Sequence, residues 1–252
     1  MSRKVIIAGN WKMNMTPAQG AEMVNELKTL IAGVNAEVVI CPPATTIPAV
    51  VEAAAGSNIQ VGAQNIAWAE SGAFTGELSA TMLKELNITW IVTGHSERRQ
   101  YFAETDATVN ARTRTALDNG FKVMVCVGET KEEREDNVTN AVLDIQIKRG
   151  LKGFTAADME SIVVAYEPVW AIGTGLTATP EMAQDTHAAV RATLTEVFGA
   201  AVAEKVRIQY GGSMKGANSK ELVGQTDIDG GLVGGASLKA ADFADLIKNA
   251  VS

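Results

Sequence analysis

Ile162-Val163-Val164-Ala165-Tyr166, followed at once by Glu167-Pro168, is the stretch whose reading decides the fold. The run is apolar throughout, with no polar residue alternating along it. A strand with one wet face alternates, whereas a strand buried on both faces reads as a continuous apolar run, as in parallel sheets covered by helices. The same kind of run recurs at Val5–Ala8, Val38–Cys41, Ile59–Gly62, Thr89–Val92, Lys122–Val127, Val206–Tyr210 and Gly231–Val233.

Helical periodicity fills the intervals. Thr16-Pro17-Ala18-Gln19 reads as a capping box with proline at the first helical position, and Ala21, Val24, Leu27 and Ile31 then share a face. Val138, Val142 and Ile145 mark another helix. Thr179-Pro180 opens one whose inner stripe is Val190, Leu194 and Val197, and Phe243, Leu246, Ile247 and Ala250 make a closing helix. Strand–helix alternation suits an open doubly wound sheet or a closed barrel. Eight strands in 252 residues, with no Pro/Ser-rich linker, favour a single (β/α)8 barrel domain over residues 1–252.

Composition narrows the function. Apolar residues make up 46% and charged residues 20%, which describes a globular chain. A net charge of −7 argues against a nucleic-acid partner, and means that any anion site must be built locally. Cys41 and Cys126 form no CxxC pair, so zinc and redox motifs find no support, and two free thiols suit a reducing cytoplasm. The short apolar run after Arg3-Lys4 is expected to be neither a signal peptide nor a membrane span.

The polar and glycine-rich segments follow the strand ends: Asn10-Trp11-Lys12, Gly94-His95-Ser96-Glu97, Glu167-Pro168, Gly211-Gly212-Ser213 and Gly234-Gly235. In a barrel these ends meet at one mouth, where active sites lie. His95 sits where a helix begins, and the positive end of a helix dipole disfavours imidazolium, leaving a neutral ring able to donate to a carbonyl oxygen. His187, inside a helix, reads as structural. Glu167 precedes the apolar segment Val169–Ile172, which by closing over a carboxylate would exclude water and strengthen it as a base. The glycine pairs after the last two strands suit a phosphate, and Lys12 is a candidate local cation.

Three motif matches are rejected. Gly173–Ala178 fits G-x-G-x-x-A but does not open a helix after a first strand, so a glycine-hinged lid is the better reading. His95-Ser96-Glu97 lacks the second half of a zinc-deaminase signature. Lys215 stands where a nucleophile elbow needs glycine.

Taken together, Gly9–Asn14, Gly62–Asn65, Gly72–Glu77, Gly94–Arg99, Tyr166–Gly175, Tyr210–Ser213 and Leu232–Leu238 resemble, in order, the signatures of the triosephosphate isomerase family. The resemblance spans essentially the whole chain. That family is itself a standard illustration of pKa tuning by environment, so the following roles come from resemblance. It implies a TIM barrel that interconverts D-glyceraldehyde 3-phosphate and dihydroxyacetone phosphate in glycolysis and gluconeogenesis, with no metal or cofactor. Glu167 moves the proton, neutral His95 polarises the carbonyl, and Lys12, beside Asn10 and paired with Glu97, holds substrate charge. Backbone N–H groups of Gly173, Ser213, Gly234 and Gly235 bind the phosphate. Ile172 and Leu232 clamp the base when the lid shuts. Trp170 then leaves Tyr166 for Glu129, and Tyr210 bonds the lid near Ala178. The Gly72–Gly76 loop, with Thr75, inserts into a second copy, so a homodimer is expected. Competing readings are another phosphate-sugar isomerase or epimerase on the same barrel, and a non-catalytic scaffold. Thr93, Met214 and Leu176 depart from the commonest pattern, and a buried Thr93 hydroxyl needs a partner.

Overall fold

The computed structural model describes residues 3–172 and 178–252. Eight strands are present: β1 (Ile6–Asn10), β2 (Glu37–Cys41), β3 (Ile59–Ala63), β4 (Trp90–Thr93), β5 (Lys122–Val127), β6 (Ile162–Tyr166), β7 (Arg207–Tyr210) and β8 (Gly230–Val233). Every neighbouring pair is parallel, and the order β1-β2-β3-β4-β5-β6-β7-β8 closes on itself. The closing pair aligns Ile6 with Gly230 and Gly9 with Val233. This is the expected eight-stranded barrel and excludes the open sheet.

The continuous apolar runs now have their cause. Ile6, Ala8, Val39, Cys41, Trp90, Val92, Met124, Cys126, Val163, Ala165 and Leu232 form one buried cluster, drawn from alternate strand positions. The positions between them, such as Ile7, Val38, Ile40, Ile91, Val125 and Val164, belong to a second cluster shared with the helices. Both strand faces are therefore dry, one inside the barrel and one under the helical coat.

The coat comprises α1 (Pro17–Leu30), α2 (Ile47–Ala54), α3 (Ala80–Glu85), α4 (Ser96–Phe102), α5 (Asp106–Asp118), α6 (Lys131–Glu135), α7 (Thr139–Gly150), α8 (Pro180–Phe198), α9 (Ala200–Ala203), α10 (Gly216–Val223) and α11 (Ala240–Ala250). The Thr16 capping box is formed, with Gln19 N–H donating to the Thr16 hydroxyl and Thr16 N–H to the Gln19 side chain. Thr179 caps α8 ahead of Pro180. The expected stripe of α11 is buried in full.

Two helical faces are corrected. In α8, Val190 and Leu194 are buried but Val197 is 39% exposed. In α7 the inward residues are Leu143, Ile147 and Gly150, while Val138 caps the helix and Ile145 lies outside. No helix among the described residues is long and apolar enough to cross a membrane.

Candidate active site

The chemistry-bearing segments do converge. Asn10, Lys12, His95, Glu167, Ile172, Ser213, Leu232, Gly234 and Gly235 all line one cavity of about 370 Å³ at the C-terminal ends of the strands. Gly173 and Leu176 lie outside the described residues, as does most of the expected lid. Thr75 is exposed on its own loop and does not line this cavity.

β1 supplies the cation. Asn10, buried at its end, accepts the Lys12 backbone N–H at 3.0 Å. Lys12 has a φ of 51°, a left-handed conformation that costs a side chain free energy and concentrates at functional sites. Its carbonyl is held by Gln64 Nε2 at 2.9 Å, which also donates to Cys41 O at 2.9 Å. The Lys12 ammonium reaches Glu97 Oε1 at 2.8 Å, the pairing expected of it.

β4 and α4 supply the electrophile. His95 is the N-cap of α4, and the Glu97 N–H donates to its Nδ1 at 3.2 Å. With Nδ1 accepting, the ring proton belongs on Nε2, which faces Glu167 Oε1 at 2.9 Å. Glu167, 2% exposed, also accepts the Ser96 N–H at 2.8 Å and lies 3.3 Å from the Ser96 hydroxyl. Burial works against the Glu167 charge, but His95, the Ser96 N–H and Lys12 outweigh it and hold the carboxyl below its ordinary range. Burial likewise works against an imidazolium, but the parked Glu167 carboxylate outweighs it and raises His95. While Glu167 rests against the ring, its pull opposes the helix-end preference for a neutral His95. The neutral tautomer is favoured locally by the Glu97 N–H on Nδ1.

β6, β7 and β8 supply the remaining walls. Glu167 N–H donates to Val127 O at 2.8 Å, which fixes the base to the end of β5. Gly211 is required by close approach: a Cβ there would stand 2.8 Å from Glu167 Cγ and 3.0 Å from Tyr166 O. Buried Glu129 accepts from Trp170 Nε1 at 2.8 Å and Tyr166 OH at 3.1 Å on the same oxygen. Burial raises the Tyr210 phenol, and the nearby Ala178 backbone opposes that shift.

Several contributors escaped the sequence reading. Ser96 holds the base with both backbone and hydroxyl, and Lys215 lines the cavity as a second cation. Ser96 was visible only as part of a motif, and Lys215 only as a residue that spoiled another. Of the unusual positions, Thr93 is fully buried and its hydroxyl lies 2.9 Å from that of Thr113. Met214 is buried on the cavity wall, in the space left beside Gly231. His187 is fully buried, as a structural histidine should be. Among the described residues no group of three His, Cys, Asp or Glu side chains is placed to hold a metal ion.

Comparison with known proteins agrees with this arrangement. Residues 5–250 match the family model described as triosephosphate isomerase. A triosephosphate isomerase of Clostridium novyi (strain NT) is 56% identical over 245 residues, covering 97% of this chain and 98% of the relative. Those of Acetivibrio thermocellus and Clostridium acetobutylicum are 52% and 53% identical, covering 98% and 97% of this chain and 99% of each relative. Barrel, converging site residues and full-length similarity together mean that the chain belongs to the triosephosphate isomerase family.

Proposed function

We propose that this chain interconverts D-glyceraldehyde 3-phosphate and dihydroxyacetone phosphate, as its family does in glycolysis and gluconeogenesis, with Glu167 as the base, His95 as the electrophile and Lys12 as the cation. The observation that carries the residue roles is the shared cavity, in which a carboxylate and a ring N–H lie 2.9 Å apart beside glycine-rich loops and a lysine.

Parked on Ser96 and His95, Glu167 is stabilised as an anion and is a weak base. Moving into the cavity removes those donors and brings the carboxylate toward Ile172 and Leu232, whose apolar surfaces favour its protonated form. Glu167 then takes the proton from the carbon beside the carbonyl, and the C–H electron pair becomes the enediolate double bond. His95 Nε2–H donates to the oxygen that gains charge, and Lys12 stabilises that charge. After proton exchange between the two oxygens through His95, Glu167 returns its proton to the neighbouring carbon. Backbone N–H groups of Ser213, Gly234 and Gly235 hold the phosphate, with Lys215 adding charge to the same wall. In a chain of net charge −7, these local cations and amides are what draw in an anionic substrate.

The chain is further proposed to act as one domain, in the cytoplasm and as a homodimer. The exposed Gly72–Gly76 loop supports the dimer, as do exposed apolar side chains at Met13, Trp68, Phe74, Met82, Tyr101 and Phe102. Glu77, at the base of that loop, is tied down by Arg112 and Asn65, which leaves the tip presented on a fixed stalk.

Isomerisation in heavy water tests the proton-transfer route. Product formed from dihydroxyacetone phosphate is expected to carry deuterium at C2, delivered by a base that has exchanged with the solvent. Unexchanged product under conditions where the base equilibrates with solvent would point to a hydride shift instead.

A further inference from the structure

We infer that Gln146 is a positioning residue for this reaction: its amide fastens the Gly128 peptide, and through it both the base Glu167 and the Glu129 anchor of Trp170. The inference rests on the reading of Glu167 as the base.

Gly128 follows the last residue of β5. Its N–H donates to Gln146 Oε1 at 2.8 Å, and Gln146 Nε2 donates to its carbonyl at 3.0 Å. A side-chain amide from α7 thus satisfies both polar groups of one residue, as a neighbouring strand would. On either side, the chain grips the catalytic segment. Val127 O accepts the Glu167 N–H at 2.8 Å, and Glu129 O accepts the Val169 N–H at 3.2 Å. Gln146 fastens the residue between these two attachments.

The contact beneath Gly128 leaves no slack. A Cβ on Gly128 would stand 1.8 Å from the Glu167 carbonyl oxygen and 2.8 Å from its carbon. Any shift of this peptide toward β6 therefore pushes on the backbone of the base. A cavity of about 580 Å³ also borders this peptide, lined by Gly128 and Gln146 together with Ser96, Glu167 and Trp170. Where the cavity borders the peptide, packing is incomplete, and the two Gln146 hydrogen bonds hold it in place. The Glu129 carboxylate, which anchors Tyr166, Trp170 and Arg134, is carried by the next residue along and moves with it.

The test compares Gln146→Met, which keeps side-chain length and removes both bonds, with Gln146→Glu. An ionised glutamate accepts from the Gly128 N–H but repels its carbonyl, whereas a protonated one restores acceptor and donor together. The charged groups that share the cavity with this position are Arg99, Lys131, Glu132, Glu133 and Glu167. Gln146→Met is expected to lower kcat about tenfold with KM changed less than about twofold, because misplacing a base costs turnover more than binding. The kcat of Gln146→Glu relative to wild type is expected to climb as pH falls from about 8 to about 5, and that of Gln146→Met to stay flat. A kcat for Gln146→Met within about twofold of wild type overturns the proposal. So does a loss that vanishes once rates are normalised to sites titrated with a phosphoglycolate-type analogue, which means that only the folded fraction changed. Failure of the base assignment itself shows separately, as activity retained in Glu167→Gln.

Discussion

At the residue scale, the groups that bear chemistry were legible because each broke a local pattern: a histidine at a helix start, a glutamate at a strand end, a lysine at a loop start. What could not be read was partnership. Thr93 looked like a liability until Thr113, from α5, was placed 2.9 Å from its hydroxyl. Ser96 was unreadable as the holder of Glu167 for the same reason, since the contact joins residues 71 positions apart. His187 was read as structural, and its surroundings give that reading a pH signature. Its ring packs between Tyr166 and Tyr210, and Nδ1 lies 3.2 Å from Asp227 O. Burial lowers its pKa from 6.5 to about 4, against the opposing pull of Asp227. The folded protein therefore keeps the ring neutral in a range where the unfolded chain binds a proton. The stability linked to this site is complete above about pH 6.5 and is lost as pH falls toward 4. The size is on the order of 3 kcal/mol. Denaturant melts between these pH values are expected to show that decline in wild type and a smaller one in His187→Gln. Equal slopes would remove His187 from the account.

At the element scale, strand positions were legible and helix faces less so. A strand buried on both sides announces itself by lacking polar residues, whichever face is which. A helix must also be oriented, and α7 offers two apolar rows with the same spacing: Val138, Val142, Ile145 and Leu143, Ile147, Gly150. Periodicity alone cannot choose between them; the neighbouring helices α5 and α8 select the second. The glycines after β7 illustrate a subtler miss. Gly211-Gly212 suggested a phosphate cradle, yet Gly211 is also required because β6 presents Glu167 directly against it. Gly211→Ala puts a methyl group 2.8 Å from Glu167 Cγ, so the base must move. The expected result is a kcat lowered by about a hundredfold in a barrel that still folds. Turnover near wild type would show that the base tolerates displacement and that the close approach has no functional weight.

At the scale of the whole molecule, eight strand runs implied a barrel only by their number. Closure itself depends on β1 meeting β8, a contact across more than 220 residues that no local pattern encodes. The site follows from closure, because β1 brings Lys12, β4 His95, β6 Glu167 and β8 the glycines to one mouth. The dimer reading belongs to this scale too. Thr75→Arg places a charge at the tip of the exposed loop, and the mass by light scattering at low concentration is expected to shift toward the monomer. An unchanged mass would mean that the loop does not carry the interface.

The central claim is that one carboxylate, Glu167, moves the proton. The most direct measurement is a coupled isomerisation assay with a chelator present, on wild type beside Glu167→Gln, which keeps the shape of the side chain and removes its basicity. The account predicts rapid turnover in wild type and a kcat lower by about three orders of magnitude or more in the variant, with the melting temperature little changed. Near-normal turnover in purified Glu167→Gln would contradict it and assign the proton transfer to another group in the cavity.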